Sequence, residues 1–211
     1  MTGKKKKLAF YSASGCRACD HLLLDLQGEI FSLEQAGEIV FWPYRDGTAW
    51  EELPSDLDVA LFAGALRTEE DLLAAQRLRD RAQWLVAFGA CAAFGGIPGL
   101  ASLTSAPAEV TAGDPLLPSL TAEVMALEQA VPVDYQIPGC PPTDNLVWAA
   151  LQALIGAAEL PPRLGYAASR LPEPLASAIT AGVLPPPGSI FAGEKAVCAT
   201  CSTFFLRRSF S

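Results

Sequence analysis

The sequence predicts an α/β chain built on a mostly parallel sheet. Two observations carry that prediction. Short apolar runs alternate with segments of helical composition, the pattern of βαβ units. Four cysteines each fall where one of these runs ends: Cys16 and Cys19 in Ser14-Gly-Cys-Arg-Ala-Cys19, Cys91 in Phe88-Gly-Ala-Cys91, and Cys140 in Pro138-Gly-Cys140.

The elements follow in order. Residues 8–11 read as a short buried strand, and Cys16-x-x-Cys19 lies at the turn into a helix that contains Asp20 and His21. Residues 39–42 and 57–62 are the second and third strands, the latter ending at Gly64. Residues 68–79 form a helix with Thr68 as N-cap and acids in its first turn, where the helix dipole favours them. Residues 84–88 are a fourth strand, running into the glycine-rich loop 89–99. Residues 120–130 read as a helix, 133–137 as a fifth strand and 145–158 as an Ala/Leu-rich helix. This gives one domain over residues 1–160. Seven of the 17 prolines lie between Pro161 and Pro187, so residues 161–211 read as an extended segment with an incomplete Cys198-x-x-Cys201 region.

Bulk properties narrow the function. The net charge of −8 argues against non-specific nucleic-acid binding. Hydrophobic residues make up 51% and the mean hydropathy is +0.27, so some apolar surface is expected to meet a partner. No apolar run is long enough to span a membrane. The basic run 4–7 reads as a solvated leader, and no export signal follows it. Six cysteines then suggest metal ligands in a reducing cytoplasm rather than disulfides.

In an open parallel sheet, ligands bind outside the carboxyl ends of the strands. The loops bearing Cys16, Cys19, Cys91 and Cys140 therefore open on one edge. Four thiolates there suit a soft metal centre, with an iron–sulfur cluster the first candidate and zinc the second. Glycines beside the ligands let backbone approach such a centre closely. A thioredoxin-type redox pair at Cys16 and Cys19 would leave Cys91 and Cys140 idle. His21 reads as a surface or packing residue, and Asp20, Asp25 and Glu29 as a solvated helix face. Phe88, Phe94, Ile97 and Leu100 read as apolar lining. No catalytic residue is identified: there is no Ser/His/Asp set and no P-loop.

The segments Ser14-Gly-Cys-Arg-Ala-Cys-Asp20, Asp58-Val-Ala-Leu-Phe-Ala-Gly64, Leu85-Val-Ala-Phe-Gly-Ala-Cys91 with its continuation to Gly99, and Pro138-Gly-Cys-Pro-Pro-Thr143 resemble, in order, the small subunit of [NiFe] hydrogenases. The resemblance covers roughly residues 7–160 and is strongest to the cytoplasmic methyl-viologen-reducing type. The 20 kDa subunit of NADH:quinone oxidoreductase is a wider relative, with two adjacent cysteines in place of Cys16-x-x-Cys19. The resemblance implies a flavodoxin-like domain holding one proximal [4Fe–4S] cluster on Cys16, Cys19, Cys91 and Cys140. The expected partners are a large subunit carrying the nickel–iron site and a downstream ferredoxin-like or flavin-containing subunit, in the cytoplasm. The chain would then be an oxidoreductase subunit that moves electrons without itself splitting H₂. The alternatives are a quinone-oxidoreductase-type cluster subunit, or a non-enzymatic H₂-sensing or assembly module on the same fold.

Two departures from the family pattern matter. Many relatives place a glutamate before the first cysteine pair as a proton relay. Here residues 11–15 hold no carboxylate, so no proton role is carried over. Relatives also continue beyond the Cys198-x-x-Cys201 position with further cysteines. This chain ends at Ser211, which leaves Cys198 and Cys201 a half-site: the chain is truncated, which the tail favours, or a partner supplies the other ligands, or the pair is vestigial.

Overall fold

A computed structural model describes residues 5–26, 37–103 and 117–155. Five strands form the main sheet: β1 (Lys6–Ser12), β2 (Gly37–Phe41), β3 (Leu57–Ala63), β5 (Ala82–Phe88) and β7 (Tyr135–Ile137). Their spatial order is β2-β1-β3-β5-β7, and every neighbouring pair is parallel. This is the flavodoxin-type doubly wound order. Its strand order reverses between β1 and β3, and ligands gather at that switch point.

Side chains alternate across the sheet, as a strand period of two requires. Leu8, Phe10, Val59, Leu61, Val86 and Phe88 point to one face, with α1 (Ala18–Asp25) and the C-terminal helix α5 (Asp144–Ile155) packed over it. Ala9, Ala60, Phe62, Leu85 and Ala87 point to the other, beneath Ala74, Ala75 and Leu78 of α3 (Glu69–Arg81). Both faces are covered, so the strands carry near-continuous apolar runs. Thr68 caps α3 as the sequence predicts. Its Oγ1 accepts the Asp71 N–H at 3.1 Å, and the Asp71 carboxylate accepts the Thr68 N–H at 2.9 Å.

The structure corrects several sequence expectations. The segment read as a helix over 120–130 is strand β6 (Leu120–Met125), followed by a 3₁₀ turn at Leu127–Gln129. β6 pairs antiparallel with β4 (Leu66–Thr68) in a separate two-stranded sheet. Thr121 and Val124 are β-branched, and the Thr121 hydroxyl donates to the Arg67 carbonyl at 3.0 Å. A waiting edge strand overrode a weak helical composition. The glycine-rich loop begins as a short helix, α4 (Gly89–Phe94), and turns 3₁₀ at Pro98–Leu103. A further turn of helix, α2 (Pro43–Asp46), follows β2. Lys6 and Lys7 are not a solvated leader. They belong to β1, and their ammonium groups meet Asp58 at 2.7 Å and Asp56 at 2.6 Å. Among the described residues no helix is long and apolar enough to cross a membrane. The proline-rich segment 161–211, with Cys198 and Cys201, lies outside the described residues.

Candidate metal centre

All four predicted thiols arise at the carboxyl ends of the main strands. Cys16 and Cys19 follow β1, Cys91 is in the first turn of α4 after β5, and Cys140 follows β7. The Cys16 loop is held to β3 by two backbone bonds, Ala13 N–H to Ala63 O and Ala65 N–H to Ser14 O, both 2.8 Å. The Ala90 N–H donates to the Gly139 carbonyl at 2.7 Å, which ties the Cys91 helix to the Cys140 loop. Cys16, Cys19 and Cys91 line one crevice with Gly15, Ala63 and Gly64, at the β1/β3 switch point.

The thiols act on one another electrostatically. Burial, then the facing Cys91, Cys16, Asp20 and Cys140, push the Cys19 thiol up to about 12. Burial, then Cys140 and Cys16, raise the Cys91 thiol, while the Ile97 N–H opposes the rise. Cys19 and Cys91 are half-buried, and Cys16 and Cys140 are exposed. Among the described residues no three of His, Cys, Asp and Glu stand close enough to hold a single metal ion.

Glycine keeps side-chain bulk away from the sulfurs. A Cβ on Gly89, whose φ is +86°, would lie 2.7 Å from Cys19 Sγ. A Cβ on Gly96, at φ +55°, would lie 2.8 Å from Cys91 Sγ. Both positions combine a left-handed backbone with contact to sulfur, so glycine alone satisfies them. Four soft donors at one edge and this side-chain-free cradle fit a thiolate-bound iron–sulfur cluster.

The turn between the first two cysteines is held differently. Arg17 adopts φ +66°, which costs an L-residue roughly 1–2 kcal/mol. Its guanidinium lies 4.9 Å from the centre of the Tyr44 ring, a cation–π contact that offsets part of that cost. His21 is exposed and meets Tyr44 edge-on at 6.1 Å, so it is a surface residue, as the sequence predicts.

Two further expectations change. Asp20 is not part of a solvated face: it is 0% exposed. It accepts a hydrogen bond from the Ser12 hydroxyl and another from the Trp42 indole N–H at 3.2 Å. Asp25 is exposed as expected, and Glu29 lies outside the described residues. Of the stripe read as lining, only Phe88 is buried; Phe94, Leu100 and Ile97, the last 71% exposed, form an apolar ridge beside Cys91 that continues to Leu103. The sequence contained the residues of this ridge but not the direction in which they face.

Comparison with known proteins agrees with this architecture. The family described as the NADH ubiquinone oxidoreductase 20 Kd subunit matches residues 16–154. An F420-non-reducing hydrogenase subunit of Methanocaldococcus jannaschii is 32% identical, over 72% of this chain and 57% of its own length. An F420-non-reducing hydrogenase iron-sulfur subunit of Archaeoglobus profundus is 28% identical, over 93% of this chain and 62% of its own. The chain thus spans less than two thirds of the length of these relatives. A chain in the crystal structure of an NAD+-reducing [NiFe]-hydrogenase in the H2-reduced state superposes with a TM-score of 0.65 at 29% identity, covering 76% of this chain and 97% of that one. The flavodoxin-like sheet, the cysteines at its strand ends and these matches agree: the chain belongs to the NADH ubiquinone oxidoreductase 20 Kd subunit family.

Proposed function

We propose that this chain is the electron-transfer small subunit of a [NiFe]-hydrogenase-type complex, holding one [4Fe–4S] cluster on Cys16, Cys19, Cys91 and Cys140. The observation that carries the reading is the set of four thiols at the carboxyl ends of the strands, with glycine where a Cβ would strike the Cys19 and Cys91 sulfurs.

Bound there, a [4Fe–4S] cluster supplies one-electron transfer. The chain's own residues fix the ligands, exclude side chains from the sulfurs and present a docking face. Phe94, Ile97, Leu100 and Leu103 are exposed beside Cys91, and a large subunit bearing the nickel–iron site is the partner that would cover them. Electrons would pass between that site and a further carrier, a ferredoxin-like or flavin-containing subunit, in the cytoplasm. The name of the Archaeoglobus relative, an iron-sulfur subunit, supports the cofactor class.

Anaerobic isolation with metal analysis and EPR tests the reading. It predicts about four irons per chain and one [4Fe–4S]⁺ signal after reduction. Stoichiometric zinc without iron would overturn it.

A further inference from the structure

Asp20 is a buried acid with no structural need to be one. It follows Cys19 directly and has no solvent exposure. Its hydrogen-bond donors among the described residues are neutral: the Ser12 hydroxyl and the Trp42 indole N–H, one on each carboxylate oxygen. An asparagine could accept from the same indole at less cost, because burying a charge without a cation is expensive. What the carboxylate adds is negative charge. It stands in the first turn of α1, and each of its oxygens accepts one donor. In a dry interior such a charge acts over several ångströms with little screening. Its field already reaches the neighbouring Cys19 sulfur.

We propose that Asp20 sets the reduction potential of the centre held by Cys16, Cys19, Cys91 and Cys140, keeping it low by opposing the arrival of an electron. The inference rests on the cluster reading above. It concerns one charge-balanced step. The centre takes one electron from a chemical reductant, its net charge becomes more negative by one, and the fixed carboxylate disfavours that form. Ser12 and Trp42 moderate the effect, because each donor spreads part of the carboxylate charge.

This makes two perturbations act with opposite sign. Replacing the charge, Asp20→Asn, raises the potential. Removing a donor, Ser12→Ala or Trp42→Phe, leaves the carboxylate less compensated and lowers it. Asp25 is on the same helix but exposed, so water and salt screen it, and Asp25→Asn moves the potential little. A purely structural role for Asp20 would instead move the donor and charge variants the same way, by loosening the same contacts.

The experiment is an EPR-monitored dithionite titration of the complete, anaerobically isolated protein at fixed pH and salt. For Asp20→Asn we expect the reduced-to-oxidised ratio at a given potential to rise tenfold, equivalent to about 59 mV for one electron. For Ser12→Ala we expect that ratio to fall. An unshifted ratio in iron-loaded Asp20→Asn, or a rise in Ser12→Ala, overturns the proposal alone. If Asp20→Asn fails to retain iron, Ser12→Ala decides by its sign, with no change counting against. Absence of iron from the wild-type protein overturns the cluster reading, and this proposal with it.

Discussion

The Ser14 hydroxyl donates to Asp71 Oδ2 at 2.8 Å, bridging the loop before Cys16 to the first turn of α3. The same oxygen accepts the N–H groups of Arg67 at 3.0 Å and Thr68 at 2.9 Å. One carboxylate, 5% exposed, therefore closes the capping box of a helix and anchors the loop that carries Cys16. Asp71→Ala should keep the Thr68 cap, whose Oγ1 accepts a backbone N–H, but lose the returning half of the capping box. It leaves the Arg67 and Thr68 N–H groups without their acceptor, at a cost of roughly 1–3 kcal/mol where they stay dry. The variant should unfold at lower denaturant and lose iron faster to a chelator than wild type. Ser14→Ala keeps the capping box and should show the faster iron loss with a smaller loss of stability. Equal chelation rates in all three proteins would mean that this bridge does not position Cys16.

The four-ligand set makes a direct prediction. Cys16→Ala, Cys19→Ala, Cys91→Ala and Cys140→Ala should each lower the iron content or convert the EPR signal, because a cubane cluster missing one thiolate is exposed to solvent exchange. Cys198→Ala and Cys201→Ala should leave the signal of this centre in place. Full iron content in Cys91→Ala would show that the ligand set is wrong.

The four cysteine positions are legible in the sequence because strand ends are easy to find in an α/β chain. Apolar runs 8–11, 57–62 and 84–88 lie inside β1, β3 and β5, and doubly wound topology brings their carboxyl ends to one edge. What is not legible depends on partners distant in sequence. The strand character of β6 comes from pairing with β4, more than fifty residues earlier. Asp20 has the helical spacing of a solvated face, yet Ser12 and Trp42 close over it from the ends of two different strands. Phe94 and Ile97 look like core residues by type, and only the short helix and 3₁₀ turn reveal that they face out.

The glycine cradle can be tested at a single position. Gly89→Ala places a β-carbon 2.7 Å from Cys19 Sγ and forces alanine to φ +86°. The backbone alone costs roughly 1–2 kcal/mol, and the contact must push the ligand aside. The expected result is a folded chain by far-UV circular dichroism with reduced iron content. Gly47→Ala shares the positive φ but has nothing within 4 Å of its Cβ, so it should show the backbone cost without loss of iron. Parallel iron loss in both variants would assign the effect to backbone strain rather than to the cradle.

The apolar ridge predicts assembly behaviour. Ile97→Glu and Leu103→Glu each put a charge on a side chain that is 71% or 82% exposed, so neither should disturb the fold. Each should weaken association with the proposed large subunit, since burying the new charge in an apolar interface is costly. Co-purification from the native host measures the association, and iron analysis of the released chain confirms that the centre is intact. Unchanged co-purification in the double variant would move the docking surface elsewhere.

Metal removal should expose the order in which the thiols were buried. If the four thiols hold the proposed centre, iodoacetamide should spare all of them in the iron-loaded protein. After chelation, Cys16 and Cys140 are exposed and should react first at about pH 8. Cys19 should react last. Its thiol is pushed up to about 12 by burial and by the facing sulfurs, so it carries little thiolate below that value. The sign follows from the direction of the shift: a raised thiol is neutral through the neutral range and gains nucleophile only as pH climbs. The labelling rate at Cys19 should therefore keep rising as pH climbs toward about 12. Cys91, also raised but partly relieved by the Ile97 N–H, should fall between them. Peptide mass spectrometry at increasing pH reads all four sites in one experiment. Early labelling of Cys19 in the metal-free chain would contradict its partial burial in the crevice it shares with Cys16 and Cys91.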